Sequence, residues 1–185
     1  MNKEAGRGGS LLVMFRLADG EKLPLLVDTG STITLFDKSL EPRLGRRIDT
    51  GTFDNFGVTQ KIGVYAALKL YLGNVPLRMT GTNAFTFDRQ NLASRFPFPF
   101  MGVLGMDVLQ NYCIQLDFTA GKMRFLDEAH ADKTNWGKPF PLTKLADRFA
   151  GICMAIDENL TGVADSKSII DTGYNEGGWL TPKLF

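Results

Sequence analysis

Two segments of the chain place an aspartate between an apolar run and Thr-Gly. Asp28 follows the apolar residues 23–27, and Asp171 follows residues 168–170. An apolar run of this length predicts a strand, so each carboxylate is expected at the end of a strand, on the rim of a sheet. A carboxylate held rigidly in that position can act as a general acid or a general base.

The residues that follow each aspartate have side chains suited to supporting a carboxylate. Gly30 lets the backbone turn sharply, so that N–H groups can point toward Asp28, and the Ser31 hydroxyl can donate to its outer oxygen. Thr29 is expected to face the second loop. The support residues predicted from the two motifs are Thr29, Gly30, Ser31, Thr172 and Gly173.

The elements that must position these loops are short strands. Residues 11–17 and 23–27 predict a hairpin that leads into the Asp28 loop. The further apolar stretches end at Gly, Asn and Asp turns, a spacing typical of an all-β domain. These stretches are residues 62–72, 75–79, 101–104, 113–118 and 123–126, and only residues 106–111 predict a helical turn or two.

The end of the chain repeats its beginning. Residues 151–156, a polar turn at residues 157–162 and residues 168–170 predict a second hairpin that leads into Asp171. The two aspartates are 143 residues apart. Solenoid repeats are several times shorter, so this duplication indicates two lobes.

The motifs resemble those of retropepsin-like and pepsin-like aspartic peptidases, most closely bacterial proteins of the aspartyl-protease family. The resemblance lies in Leu26-Val27-Asp28-Thr29-Gly30-Ser31, followed about 70 residues later by Val103-Leu104-Gly105. Residues 112–118 and 122–125 are similar to the closing strands of a retropepsin-like domain. In the second motif Tyr174 replaces the small hydroxyl residue of the family, so the support of Asp171 is expected to differ.

The resemblance implies a domain organisation. Residues 1–126 are expected to form a complete retropepsin-like closed β lobe, residues 127–149 a linker, and residues 150–185 the opening hairpin and Asp-Thr-Gly loop of a second, incomplete lobe. A half lobe holds its loop loosely, so we expect little activity from the 185-residue chain by itself.

The resemblance also implies the activity of an aspartic endopeptidase acting on a peptide or protein substrate. Asp28 and Asp171 would share one proton and activate a water molecule, with neither metal nor cofactor. Two alternatives remain open. One is a non-catalytic peptide-binding module on the same fold, and the other is a homodimeric protease in which Asp28 pairs with its symmetry mate.

A flap, meaning a hairpin that closes over bound peptide, is implied at residues 49–59. Its candidate substrate-binding residues are Gly51, Phe53, Phe56 and Gly57. The segment contains a third triplet, Asp49-Thr50-Gly51, which no apolar strand precedes. We therefore assign this third triplet to a turn.

Composition excludes several other classes of function. There are 21 Lys and Arg residues against 20 Asp and Glu, so there is no broad field to attract nucleic acid or a membrane. His130 has no partner at metal-ligand spacing. The apolar neighbours of Cys113 and Cys153 favour two buried free thiols over a disulfide. No apolar run is long enough for a membrane span, and residues 1–10 do not resemble a signal peptide. A cytoplasmic location is the default expectation.

Overall fold

A computed structural model of the chain describes residues 1–2, 5, 9–55, 58–66, 68–79, 83–92, 96, 98–127, 129–132, 134, 136–146, 152–160 and 163–174. These residues are predominantly β-structure, which confirms the predicted all-β class. The strands are β1 (Leu12–Leu17), β2 (Lys22–Val27), β3 (Leu35–Asp37), β4 (Arg47–Asn55), β5 (Val58–Ala66), β6 (Leu70–Leu72), β7 (Val75–Pro76), β8 (Asn83–Phe87), β9 (Gly102–Leu104), β10 (Cys113–Asp117), β11 (Lys122–Leu126), β12 (Thr143–Ala146), β13 (Ile152–Leu160) and β14 (Val163–Ile169). Helical structure consists of 3-10 helices at Lys38–Arg43 and Arg89–Leu92 and one α-helical turn, α1 (Met106–Leu109).

Nine strands form one sheet in the order β4-β5-β8-β3-β9-β2-β1-β6-β7. Strand β9 lies between β2 and β3, parallel to β2 and antiparallel to β3. In the parallel pair Val27 is opposite Leu104, so both strands end at the same edge of the sheet. This topology puts the Asp28 loop beside the turn that follows β9.

The first hairpin forms because its side chains alternate between core and solvent. Val13, Phe15 and Leu17 of β1 are buried, whereas Met14 between them is half exposed. Strand β2 pairs antiparallel with β1 along five residues. The turn between the strands contains Gly20 with a φ of 92°, a conformation that side chains other than glycine rarely adopt.

Both faces of β2 are covered by apolar side chains. Leu25 lies in a cluster with Phe15 and Phe36, and its neighbour Leu26 lies in a second cluster with Phe100 and Val103. Burying a side chain of this size stabilises a fold by roughly 1.5–3 kcal/mol. The strand that leads into Asp28 is therefore packed on both faces.

The C-terminal strands form a separate sheet in the order β12-β13-β14, and β10 and β11 form a two-stranded sheet. Cys153 and Ala155 of β13 are buried. Ile152 and Met154 of the same strand pack against the larger core cluster. The second Asp-Thr-Gly segment is thus attached to a sheet that packs on the first part of the molecule.

The prediction of a turn at Asp49-Thr50-Gly51 is wrong. These residues lie in β4, where Thr50 pairs with Gly63 and Gly51 pairs with Ile62. Strand β4 is at the end of the sheet order, and residues 48–50 are exposed. An edge strand with solvent on much of its surface does not need apolar residues, so the polar sequence concealed it.

Three other elements differ in extent from the expectation. Residues 62–72 are not one strand but parts of β5 and β6, which occupy distant places in the sheet. The predicted turn at residues 157–162 is mostly strand, because β13 and β14 pair as far as Leu160 and Val163. Within the expected linker, β12 pairs with β13. Cys113 and Cys153 form no disulfide, as expected, but only Cys153 is buried and Cys113 is half-buried. The helix α1 provides the helical turn expected after β9.

Candidate active site

Main-chain hydrogen bonds fix the backbone where β2 ends at Asp28. The N–H of Val27 donates to the Leu11 carbonyl at 2.8 Å, and the N–H of Asp28 donates to the Leu104 carbonyl at 3.0 Å. The position of the Asp28 Cα therefore depends on two neighbouring strands and not on the loop alone.

The Asp28 carboxylate is held by N–H groups of its own loop. Its Oδ1 accepts hydrogen bonds from the N–H of Gly30 at 2.9 Å and from that of Ser31 at 3.0 Å. The second loop repeats this geometry, since Oδ1 of Asp171 accepts from Gly173 at 2.8 Å and from Tyr174 at 3.0 Å. In each loop both backbone donors therefore bind Oδ1 of that loop's aspartate, which leaves its Oδ2 to other partners.

Two threonines join the loops by a reciprocal set of hydrogen bonds. The Thr29 hydroxyl accepts from the N–H of Thr172 at 3.0 Å and donates to the carbonyl of Ile170 at 2.5 Å. The Thr172 hydroxyl accepts from the N–H of Thr29 at 3.2 Å and donates to the carbonyl of Val27 at 2.8 Å. Each hydroxyl thus binds the opposite loop at the threonine N–H and at the carbonyl that precedes the aspartate. The site therefore has local two-fold pseudosymmetry.

The two carboxyl groups meet across this pseudosymmetry axis. A Cβ built on Gly30 would lie within 2.8 Å of all three carboxyl atoms of Asp171. A Cβ built on Gly173 would lie within 2.6 Å of all three carboxyl atoms of Asp28. Only glycine leaves room for the opposite carboxyl at these positions. The structure therefore brings together the two aspartates that the sequence analysis singled out.

The pKa of Asp28 reflects this arrangement. Burial is the largest cause, and with the negative charge and a side-chain hydrogen bond of Asp171 it raises the pKa of Asp28 from 3.8 to about 7. The hydrogen bonds from Gly30 and Ser31 act in the opposite direction. The pair therefore retains a proton up to neutral pH, while both side chains stay partly accessible to solvent.

Contrary to the expectation, the Ser31 hydroxyl does not bind the Asp28 carboxylate. It donates to the carbonyl of Ile33 at 2.8 Å, and the bond to Asp28 comes from the Ser31 backbone instead. The backbone of Tyr174 does the same for Asp171. Replacement of the small hydroxyl residue by Tyr174 thus removes no hydrogen bond to Asp171, and the expectation of a loosely held Asp171 loop is not met by these contacts.

The hairpin expected to form the flap is present as β4 and β5, which pair from Arg47 with Tyr65 to Asn55 with Val58. Gly51 and Phe53 lie in β4, and Phe53 packs against the cluster that contains Phe100 and Val103. The other two candidate substrate-binding residues, Phe56 and Gly57, lie outside the described residues.

Sequence reasoning missed three side chains near the first loop. Thr34 is fully buried and donates to Asp107, and the Cys153 thiol lies 3.4 Å from the carbonyl of Gly30. The position of Thr34 between the apolar residues Ile33 and Leu35 is a signal that could have identified it. Nothing in the local sequence pointed to Cys153.

The described residues contain no group of three or more His, Cys, Asp or Glu side chains that could hold a metal ion. They also contain no helix long and apolar enough to cross a membrane. The chain matches no protein-family model, and a search of curated proteins finds no significant match.

Alanine at either loop glycine tests the opposed arrangement. Gly30→Ala and Gly173→Ala each place a methyl group against the opposite carboxyl, so we expect each to lower the free energy of unfolding by about 1–3 kcal/mol. Gly51→Ala, in the third triplet, is the matched control because its Cβ comes no closer than 3.4 Å to Ile62. Chemical unfolding of the three variants makes the comparison, and equal losses in all three would contradict the arrangement.

Proposed function

We propose that the chain is an aspartic endopeptidase that hydrolyses peptide bonds with water activated by Asp28 and Asp171. The observation that carries this proposal is the opposition of the two carboxyl groups across loops joined by Thr29 and Thr172. Two aspartates packed this closely cost free energy when both are ionised, so a structural role alone gives little reason to retain both.

The shared proton supplies both catalytic functions. The ionised carboxylate accepts a proton from water as the water oxygen attacks the peptide carbonyl carbon, and the protonated carboxyl donates its proton to the carbonyl oxygen. The gem-diol that forms then collapses: one of its hydroxyls returns a proton to the ionised carboxylate, the C–N bond breaks, and the leaving nitrogen takes a proton from the protonated carboxyl. No covalent intermediate forms, and the pair ends with the single proton with which it began. Because the two groups titrate together, the proton is assigned to the pair and not to one residue.

A retropepsin-like lobe is the finer fold that we propose. The position of β9 between β2 and β3, followed by Gly105, supports it, because the turn after β9 then lies against the Asp28 loop. The N–H of Met106 donates to the Ser31 carbonyl at 2.9 Å. On this proposal, β13, β14 and the Asp171 loop are the beginning of a second, similar lobe.

Between the enzymatic alternatives, the contacts favour a dyad within one chain. Thr29 and Thr172 belong to the same chain and satisfy one another, so Asp28 already has a carboxyl partner without a symmetry mate. The remaining alternative, a non-catalytic peptide-binding module, would have the same fold as the enzyme and would differ from it only in the absence of hydrolysis. Only a measurement of turnover separates it from the enzyme.

The dependence of rate on pH provides that test. Removal of the shared proton inactivates the pair, so kcat/KM on an unstructured protein should fall about tenfold per pH unit once the pH exceeds about 7. Statine-like mimics of the diol should inhibit, and EDTA should have no effect. A rate that keeps rising from pH 7 to 9, or loss of activity with EDTA, would contradict the proposed mechanism.

A further inference from the structure

A half-buried carboxyl group lies close to the proposed catalytic loop and takes no part in the chemistry described above. Asp107 lies in α1, directly after the turn that follows β9. Its Oδ1 accepts a hydrogen bond of 2.6 Å from the hydroxyl of Thr34, a residue with no exposed surface. Burial raises the pKa of Asp107. Burial of a carboxyl costs free energy, so its position calls for a physical reason.

The Thr34 hydroxyl connects Asp107 to the turn between β9 and α1. While it donates to Asp107, it accepts from the N–H of Gly105 at 3.0 Å. Gly105 itself leaves no space for a side chain, since a Cβ there would lie 2.5 Å from the carbonyl carbon of Ile33. Residues 33 and 34 are therefore held against the turn by one side-chain network and one close backbone approach.

The same turn also binds the loop that holds Asp28. The N–H of Met106 donates to the Ser31 carbonyl, and the Ser31 hydroxyl donates to the Ile33 carbonyl. The Ser31 N–H is one of the two donors to the Asp28 carboxylate. Any movement of residues 31–34 away from the turn therefore changes the direction of that donor.

We infer that Asp107 is a positioning residue that, through Thr34, keeps the Ser31 N–H directed at the Asp28 carboxylate. This inference rests on the proposed function, because it assigns Asp107 to the geometry of that reaction. Asp107 does not touch the reacting atoms. Its effect reaches Asp28 through the segment from Thr34 to Ser31.

The experiment measures the pKa of Asp28 by NMR titration of the carboxyl carbons, which needs no turnover. The Ser31 N–H lowers the pKa of Asp28, so a variant that loosens this donor should raise that pKa, by about one pH unit. We expect this rise in Asp107→Ala and in Thr34→Val, which removes the hydroxyl while keeping the shape. Thr34→Val also leaves the charge of Asp107 in place, so its result excludes a simple charge effect and tests the inference even where Asp107→Ala does not fold.

Three further variants serve as controls. Asp107→Asn retains an acceptor for the Thr34 hydroxyl, and Thr34→Ser retains the hydroxyl, so both should keep the pKa of Asp28 close to that of the wild type. Asp37, at the end of β3, is a more deeply buried aspartate, and it accepts hydrogen bonds from the N–H groups of Ser39 and Arg89 instead. Asp37→Ala should reduce stability without moving the pKa of Asp28. An unchanged pKa of Asp28 in both Asp107→Ala and Thr34→Val would overturn the inference.

Kinetics give a second readout. Misplacement of a catalytic group lowers kcat, so Asp107→Ala should reduce kcat between about tenfold and a hundredfold with little change in KM, and Asp107→Asn should restore most of it. A fall in kcat without rescue by asparagine would count against positioning. Failure of the proposed function is a different result: hydrolysis that survives Asp28→Asn would refute the enzyme assignment, while the NMR titration would still decide the role of Asp107.

Discussion

Asp28→Asn and Asp171→Asn should each lower kcat/KM for hydrolysis of an unstructured protein by about 10³-fold or more. Each substitution preserves the shape of the loop and removes the ionisable group, so the pair loses its shared proton. The amide that replaces either carboxylate cannot accept the proton of the attacking water. Steady-state kinetics at pH 5 to 6, where the wild-type pair holds its proton, measure the effect.

The third triplet provides the matched control for these variants. Asp49 carries the same Asp-Thr-Gly context but lies exposed in β4, so Asp49→Asn should leave the rate unchanged. Undiminished hydrolysis by purified Asp28→Asn would refute the assignment. A homodimer would give another pattern, with an unaffected Asp171→Asn variant and activity per chain that rises with protein concentration.

The strands nearest to Asp28 were predictable because their sequence pattern and their packing agree. Strand β1 alternates buried and exposed residues, and β2 is apolar on both faces because it is covered on both faces. The strands that the sequence did not predict lie at the ends of their sheets, β4 in the nine-stranded sheet and β12 in the C-terminal sheet. Strand β4 is polar and depends on pairing with β5, and β12 depends on pairing with β13. An edge strand has one neighbour and needs no apolar alternation, so its local pattern does not reveal it.

The candidate site was predictable at the level of residue type but not of contact. Repetition of Asp-Thr-Gly after two apolar runs indicated that Asp28 and Asp171 act together. Backbone N–H groups directed at Asp28 were expected, but the sequence did not reveal that the Ser31 hydroxyl takes no part and that the N–H of Tyr174 supports Asp171 in the same way. A backbone N–H is present at every residue except proline, so this support tolerates Tyr174 and leaves no trace in the sequence.

The network of Thr34 and Asp107 was overlooked for a related reason. Its members are far apart in sequence, and neither belongs to the Asp-Thr-Gly motif. They come together because β9 enters between β2 and β3, which brings the following turn beside residues 31–34. The topology of the sheet, and not any local signal, makes them neighbours.

Stability should also depend on pH through Asp28, in a direction opposite to that of most carboxylates. The folded protein holds the Asp28 proton up to about pH 7, whereas the unfolded chain releases it near 3.8. Between these values the folded state binds more protons than the unfolded state, so the free energy of unfolding falls as the pH rises. The contribution of this one group amounts to up to about 4 kcal/mol across the interval.

Asp28→Asn removes this contribution, so the difference between variant and wild type isolates it from every other titrating group. At pH 4 the two proteins should have similar free energies of unfolding, and at pH 8 the variant should be the more stable by up to about 4 kcal/mol. Urea unfolding at both pH values measures the difference, with Asp49→Asn expected to follow the wild type. Two curves that stay parallel from pH 4 to pH 8 would mean that Asp28 ionises as an isolated aspartate does. In that case the opposed carboxyls would not share a proton, and the catalytic proposal would lose its physical basis even before any substrate was tried.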